Sequence, residues 1–114
     1  MIKIFYLYLV FLASNLFANE SISSFSTGGY HTCISNDLKT YCVGNNAFMQ
    51  REVPLQLKNL TFMSAGPYHT CGIKDENIWC WGGFNQFFND FNKPIQVSTG
   101  HHHNCVLDLD GVHC

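Results

Sequence analysis

The chain has 114 residues, a formal net charge of −2 at pH 7, and only 12% charged residues. This charge is too weak for a nucleic-acid-binding surface, which needs clustered Lys and Arg, so no nucleic-acid partner is predicted. Aromatic residues make up 15% of the chain, and no stretch is highly charged, so a packed fold is expected rather than disorder.

The first 18 residues have the layout of a secretory signal peptide. Lys3 provides the positive start, an uncharged apolar run covers residues 4–13, and Ala18 supplies a small residue for cleavage. An uncleaved anchor is the alternative, but the run is shorter than the ~20 residues of a spanning helix. We predict a signal peptide at 1–18, a folded part at 19–114, a secreted or periplasmic location, and no membrane contact after cleavage.

Three segments of the remaining chain repeat one pattern, and each holds two cysteines nine positions apart. The pairs are Cys33 and Cys42, Cys71 and Cys80, and Cys105 and Cys114. Outside the cytoplasm, an even number of regularly spaced cysteines indicates a disulfide framework. Each pair encloses a polar, turn-prone centre with apolar or β-branched flanks, which is typical of a β-hairpin. The cysteines should therefore face each other across the hairpin, and we predict three local disulfides.

A metal site is the competing interpretation, because His31, His69 and His103 each stand two positions before the first cysteine of a pair. No Cys-x-x-Cys motif occurs, and thiolate ligands would have to survive an oxidising compartment. We therefore predict no metal and no cofactor. The three equivalent histidines are expected to be structural and largely buried, with His101 and His102 more exposed.

Each hairpin is preceded by a short strand and by a glycine at a constant position in the repeat. The predicted strands are Ile22 to Thr27, Phe62 to Ala65, and Ile95 to Thr99, and the glycines are Gly28, Gly66 and Gly100. The period from cysteine to cysteine is 38 and then 34 residues, which for units made of short strands indicates a propeller or solenoid. The repeats span about 22–57, 58–94 and 95–114.

The segment from Val53 to Gln86 resembles a repeat of the regulator-of-chromosome-condensation type, in the short cysteine-bearing form found in secreted bacterial proteins. The matching runs are Ser64-Ala65-Gly66, His69-Thr70-Cys71 and Cys80-Trp81-Gly82, and in the first repeat Gly28, His31-Thr32-Cys33, Cys42 and Gly44. Val43 departs from the pattern, which expects Trp there. The resemblance implies an all-β propeller, usually of seven blades, with a structural signature at Gly28, His31, Gly66, His69, Trp81, Gly82, Gly100 and His103.

Three incomplete repeats do not close such a ring, so we predict a partial β-propeller of about two to three blades built from repeated antiparallel hairpins. The chain ends at Cys114, inside a motif that continues with Trp81-Gly82 in the second repeat. This favours a fragment or truncated product of a larger propeller. An open stack held by disulfides and a ring completed by several copies stay open, and uncovered blade edges predict self-association.

The repeats mostly specify a scaffold, so the function should lie in loops at one face. We predict a secreted protein-binding scaffold whose partner the sequence does not identify. Exposed aromatic residues and Arg are typical interface anchors, and the candidates are Phe48, Met49, Arg51, Phe87 and Phe91. For Phe84 and Phe88, packing between blades is an equally good interpretation.

An enzyme is the alternative class. Six paired cysteines leave no thiol nucleophile, and neither Gly-x-Ser-x-Gly nor His-Glu-x-x-His occurs, so a secreted hydrolase has no visible centre. Guanine-nucleotide exchange, which the resemblance also suggests, would need a full ring and an intracellular partner. We predict no catalytic residues, and expect Asp108 and Asp110 to cap the third hairpin.

Overall fold

The computed structural model describes residues 21–114, so the predicted signal peptide lies outside the described residues. In this part of the chain the regular structure consists of ten strands in three antiparallel sheets. The first sheet contains β1 (Ile22–Thr27), β2 (His31–Asn36) and β3 (Thr40–Gly44). The second contains β4 (Phe62–Ala65), β5 (His69–Lys74), β6 (Asn77–Gly82) and β7 (Gln86–Phe88). The third contains β8 (Gln96–Thr99), β9 (Asn104–Asp108) and β10 (Gly111–His113). The predicted all-β class is confirmed.

The predicted first strands of the repeats agree closely with the observed ones. Strands β1 and β4 have the predicted bounds, and β8 begins one residue later than predicted, at Gln96. Among the described sheets, only the second has a fourth strand, β7. In the first repeat an irregular segment, residues 45–61, follows β3 instead. The second repeat is therefore the most complete blade of the three.

The three disulfides join the cysteine pairs that the spacing predicts. Cys33 lies opposite Cys42, and Cys71 lies opposite Cys80, in the registers of their hairpins. The Cα–Cα distances of the three bridges are 4.1, 4.0 and 4.1 Å, and none of the six cysteines is free. Each bridge therefore closes a hairpin on itself and links no two repeats.

The hairpin turns follow from local side-chain chemistry. Asp75 and Glu76 both have positive φ, 51° and 64°, as a two-residue turn with the strand-matching twist requires. In the first hairpin, the Asn36 side chain accepts hydrogen bonds from the N–H groups of Leu38 and Lys39.

The third hairpin is capped by Asp108, as predicted, but not by Asp110. The Asp108 carboxylate accepts hydrogen bonds from the N–H groups of Asp110 and Gly111 and from the His113 ring. It also accepts one from the Asn92 N–H, which ties the preceding loop to the hairpin. Burial alone would raise the pKa of Asp108, but the hydrogen bonds from Asn92, His113 and Asp110 together lower it.

Successive sheets come closest at the repeated glycines. A Cβ added to Gly28 would lie 2.2 Å from the carbonyl oxygen of Gly66, and one added to Gly66 would lie 2.6 Å from that of Gly100. Strand β1 packs beside β4, and β4 beside β8. The repeated glycine therefore lets the first strands of neighbouring sheets approach more closely than any side chain would permit.

Two apolar cores fill the spaces between the sheets. The core between the first and second sheets contains Cys33, Cys42, Leu57, Leu60, Met63 and the fully buried Trp81. The core between the second and third sheets contains Cys71, Ile73, Ile78, Cys80, Val97 and Val106. In each case the disulfide of one sheet faces the next sheet along the chain. Each hairpin therefore contributes its bridge to the packing between repeats as well as to its own closure.

The histidine predictions are confirmed for all positions but one. His31 and His69 are buried, and His101 and His102 are exposed. His103 is exposed, so the prediction that it is largely buried was wrong. His31 and His69 each bond a side chain of the following sheet, and within residues 21–114 no sheet follows the third.

Candidate binding surface

The turns that join the first two strands of each sheet lie side by side at one end of the molecule. In each turn the glycine N–H donates to the histidine carbonyl, from Gly28 to His31 and from Gly66 to His69, at 2.7 and 2.8 Å. The third turn repeats this bond from Gly100 at 2.8 Å. This shared geometry places the middle residues of the turns, Tyr30, Tyr68 and His102, at equivalent positions.

A second set of loops is fastened to the same turns. The Asn45 N–H donates to the Tyr30 carbonyl at 2.8 Å, and the Gly83 N–H donates to the Tyr68 carbonyl at 2.9 Å. Gly44 and Gly82 precede these donors with φ of 110° and 102°, a conformation that side chains rarely adopt. These glycine turns bring the loops that carry Phe48 and Phe84 to the same end.

Six side chains from these turns and loops form a surface that we call the aromatic end. Its members are Tyr30, Phe48, Tyr68, Phe84, His101 and His102. The Tyr68 ring is central: its centroid lies 5.6 Å from that of Tyr30, with the two rings stacked, and 4.7 Å from that of Phe48. The His101 ring meets Tyr68 edge-on at 5.1 Å. These spacings are those of favourable aromatic pairs, so the row is held in place by its own contacts.

Between Tyr68 and Phe84 the aromatic end contains a groove of about 360 Å³. It is lined by Phe48, Tyr68, His69, Gly83, Phe84, His101, His102 and Asn104. This lining contains aromatic rings and imidazoles and no Asp, Glu, Lys or Arg. The volume lies within the range of ligand pockets, and the composition suits an uncharged, apolar ligand segment.

The base of the groove is fixed by a partly buried hydrogen bond. His69 Nε2 lies 2.7 Å from Asn104 Oδ1, and because that oxygen only accepts, His69 donates from Nε2. The ring of Phe84 packs against His69 at 5.7 Å. His69 therefore supports the groove wall from below.

In the preceding repeat, His31 occupies the position of His69. Its Nε2 lies 2.7 Å from Thr70 Oγ1 in the second sheet. Burial and the nearby His69 ring lower the pKa of His31 from its ordinary value of 6.5. His31 is therefore neutral in the folded protein at neutral pH.

The structure does not bring the five predicted binding residues together. Phe48 belongs to the aromatic end, and Met49 and Arg51 are exposed in the same loop. Phe87 lies on strand β7 and packs on Trp79 with ring centroids 4.5 Å apart. Phe91 is half-buried between the second and third sheets, where it contacts His113.

The sequence interpretation missed Tyr30, Tyr68, His101 and His102. The available signal was an aromatic residue directly before the repeated histidine in the first two repeats, Tyr30-His31 and Tyr68-His69. Phe84 lines the groove, whereas Phe88 packs into the core between the second and third sheets. Packing between sheets is therefore confirmed for Phe88, whereas Phe84 lines both the groove and the space between the second and third sheets.

Residues 21–114 contain neither a metal-binding cluster nor a membrane-spanning helix. No group of three or more His, Cys, Asp or Glu is arranged there to hold a metal ion. This part of the chain also contains no helix with the length and apolar character needed to cross a membrane.

Comparisons with solved structures agree on the fold. The chain is similar to the CRINKLY WD40 ectodomain of the Arabidopsis thaliana receptor kinase ACR4, with 30% identity and a TM-score of 0.65. The match covers 79% of this chain and 37% of that one. No protein-family model and no curated protein matches the chain.

Two further structures share the fold at lower identity. The entire ectodomain of the Physcomitrella patens receptor kinase CR4 has 20% identity and a TM-score of 0.62, covering 75% of this chain and 26% of that one. Human WBSCR16 has 17% identity and a TM-score of 0.61, covering 79% of this chain and 33% of that one. The chain thus spans about a third of these structures, and its three hairpin sheets form a repeat fold of the β-propeller type.

Proposed function

We propose that this chain is a secreted protein-binding scaffold whose contact surface is the aromatic end. The observation that carries the proposal is the row of exposed rings around Tyr68, displayed by equivalent turns of three rigid sheets. Aromatic side chains give a large contact area with little loss of conformational freedom, and they dominate binding hot spots.

The groove suggests what kind of protein segment binds. Its walls are aromatic and uncharged, and the His101 and His102 imidazoles provide the polar groups at one side. An extended apolar segment of the partner fits this composition, because rings can stack on its side chains while imidazole nitrogens bond its backbone. No observation on the described residues favours the hydrolase or nucleotide-exchange alternative.

The proposed secretion is supported by two observations. All six cysteines are paired in disulfides, which persist mainly in oxidising compartments. The similar plant structures are ectodomains of receptor kinases. Bacterial origin and membership of the chromosome-condensation-type family stay predictions from the sequence.

Site-specific cross-linking tests the proposal. A photoreactive phenylalanine derivative replaces Tyr30, and the chain is irradiated in the secreted fraction of the cells that produce it. We expect one discrete protein adduct, and about a tenfold or greater drop in its yield when Tyr68→Ala is added, because Tyr68 contacts both neighbouring rings.

The matched control places the same photoreactive residue at Phe87, which is exposed but lies on the outer strand β7. This position should give no discrete adduct. The proposal is wrong if position 87 gives the same adduct as position 30, or if position 30 gives none.

A further inference from the structure

The two sheet-to-sheet interfaces of this chain use the same hydrogen bonds. Ser26 Oγ accepts from the Ala65 N–H at 2.9 Å, and Ser64 Oγ accepts from the Thr99 N–H at 3.1 Å. Ser26 and Ser64 occupy equivalent positions, each paired with the first cysteine of its repeat. Each serine therefore bonds the same backbone position of the next sheet.

The histidines repeat this relation. His31 bonds Thr70, and His69 bonds Asn104, both at 2.7 Å. Thr70 and Asn104 each directly follow the equivalent histidine of the next repeat. We call the face through which the first and second sheets contact the next sheet the leading face. The opposite face, through which the second and third sheets receive the preceding sheet, is the trailing face.

The apolar contacts are repeated in part. The leading face of the second sheet carries Ile73 and Ile78 beside its disulfide, and these pack against Val97 and Val106 of the third sheet. Met63 holds the trailing position equivalent to Val97 and is buried in the core between the first and second sheets. On the leading side the first sheet differs, because Ser35 and Thr40 hold the positions of Ile73 and Ile78 and are bonded to each other at 2.9 Å. The apolar trailing position is thus common to both interfaces, whereas the apolar leading pair belongs to the second interface.

The leading face of the third sheet presents these groups again, uncovered by the described residues. Ser98 and His103 are the third-sheet equivalents of Ser64 and His69, the residues through which the second sheet bonds the third. Both Ser98 and His103 are exposed. Leu107 and Val112 take the places of Ile73 and Ile78. Val112 is 69% exposed, whereas Ile78 is 1% exposed.

The trailing face of the first sheet is also uncovered by the described residues, and it presents the positions that a leading face contacts. Phe25 takes the place of Met63 and is 68% exposed, against 4% for Met63. Thr27 and Thr32 take the places of Ala65 and Thr70, which supply the partners of Ser26 and His31. The hollow on the leading face of the third sheet, lined by Ser98, Leu107 and Val112 among others, has no charged side chain. No like charge there opposes Lys39, whose ammonium lies 5.1 Å from the Tyr41 ring centroid on the first sheet.

We propose that copies of this chain associate head to tail, with the leading face of one third sheet packed on the trailing face of another first sheet. A second copy is the occupant because this contact continues two interfaces that the chain already makes within itself. Leu107 and Val112 would pack on Phe25 as Ile73 and Ile78 pack on Val97. Such a contact joins unlike surfaces, so copies add in one direction and form rings or open chains. It involves the sheet faces and leaves Tyr68 and Phe84 of the groove uncovered, although it would bring the Tyr30 turn of one copy beside the His102 turn of another.

Sedimentation velocity on the purified chain tests this with one change on each face. We expect the wild type to form oligomers that grow with concentration. Phe25→Asp and Val112→Asp should each weaken association at least tenfold, because each buries a carboxylate in an apolar contact. An equimolar mixture of the two variants should give a dimer and nothing larger, since it contains a single intact pair of faces.

Leu38→Asp is the matched control, because Leu38 is an exposed apolar residue in the turn of the first hairpin. It should associate like the wild type. A thiol count under denaturing, non-reducing conditions shows that each variant has formed its three disulfides.

Several outcomes would overturn the proposal. A wild type that stays monomeric at all concentrations excludes the contact. Loss of association in Phe25→Asp alone would indicate a symmetric contact between first sheets. Association unchanged in both variants would place the contact elsewhere, including on residues 1–20.

Discussion

At the scale of single residues, the repeated glycine has the most restrictive environment. Gly28 lies against the Gly66 carbonyl oxygen, a backbone atom that cannot rotate away. A Cβ added to Gly29, its neighbour in the same turn, would lie 3.3 Å from Pro67 Cα and would therefore have more room. The two positions therefore offer a direct test of how closely the sheets must approach.

We predict that Gly28→Ala lowers the free energy of unfolding by about 1–3 kcal/mol, because the added methyl forces the first two sheets apart. Gly29→Ala, the control, should have a smaller effect. Chemical denaturation followed by tryptophan fluorescence measures both, since Trp79 and Trp81 lie at the affected interface. Equal effects of the two substitutions would contradict the proposed close approach.

The titration of His31 is coupled to folding. Its pKa is lowered by burial and by His69, so in the folded protein it resists protonation. Below pH 6.5 the unfolded chain gains a proton here that the folded chain does not. The contribution of His31 is therefore present above pH 6.5 and is lost as the pH falls toward the folded pKa.

We accordingly predict that the free energy of unfolding decreases as the pH is lowered from about 7.5 to about 5, and that His31→Gln reduces this slope. At neutral pH the substitution should cost about 1 kcal/mol through the altered bond to Thr70. His102→Gln, at an exposed position, is the control for the loss of an imidazole. Denaturant titrations at several pH values decide the matter, and an unchanged slope in His31→Gln would refute the assignment.

At the scale of elements, the three hairpins share one design but differ in how far their disulfides are shielded from solvent. The bridges of the first two hairpins are buried in the cores between sheets. In the third hairpin, Cys105 is half-buried and Cys114 is exposed. The difference arises because the disulfide side of each hairpin faces the next sheet, and in the described residues nothing covers the third.

Limited reduction of the native protein should therefore open the third bridge first, because thiol–disulfide exchange depends on access to the sulfur atoms. Brief treatment with a thiol reductant, alkylation and peptide mapping should label Cys105 and Cys114 well before the other four cysteines. Earlier labelling of Cys33 or Cys71 would show that exposure does not govern the order. Labelling of all six at one rate would show that the sheets open together.

At the scale of the whole molecule, the same repeat presents two separate kinds of surface. The turns at one end of the sheets display aromatic rings, and the leading and trailing faces display apolar and hydroxyl groups. Phe25→Asp and Val112→Asp leave the groove and Tyr68 unchanged, so an adduct between position 30 and a different protein should persist in both variants. Tyr68→Ala should conversely leave sedimentation unchanged. The two proposals can therefore fail separately.

Much of this architecture could be predicted from the sequence, because its determinants are local. The nine-residue spacing of Cys33 and Cys42 and the polar turn between them specify a hairpin and its bridge without reference to the rest of the chain. The same holds for the bounds of β1 and β4, where short apolar runs end at a glycine. Repetition of these signals sufficed to predict a propeller-type stack of all-β repeats.

Only the tertiary structure decided which side chains share a surface. Tyr30 and Tyr68 are 38 positions apart, and they stack because Gly28 and Gly66 allow the two sheets to approach. Phe87 and Phe91 were candidates on composition alone, yet the pleat of β7 and the packing of the third sheet direct them elsewhere. His103 has the sequence environment of His31 but not its burial, because burial depends on the neighbouring sheet. Local signals fix each hairpin, whereas the site depends on contacts between hairpins.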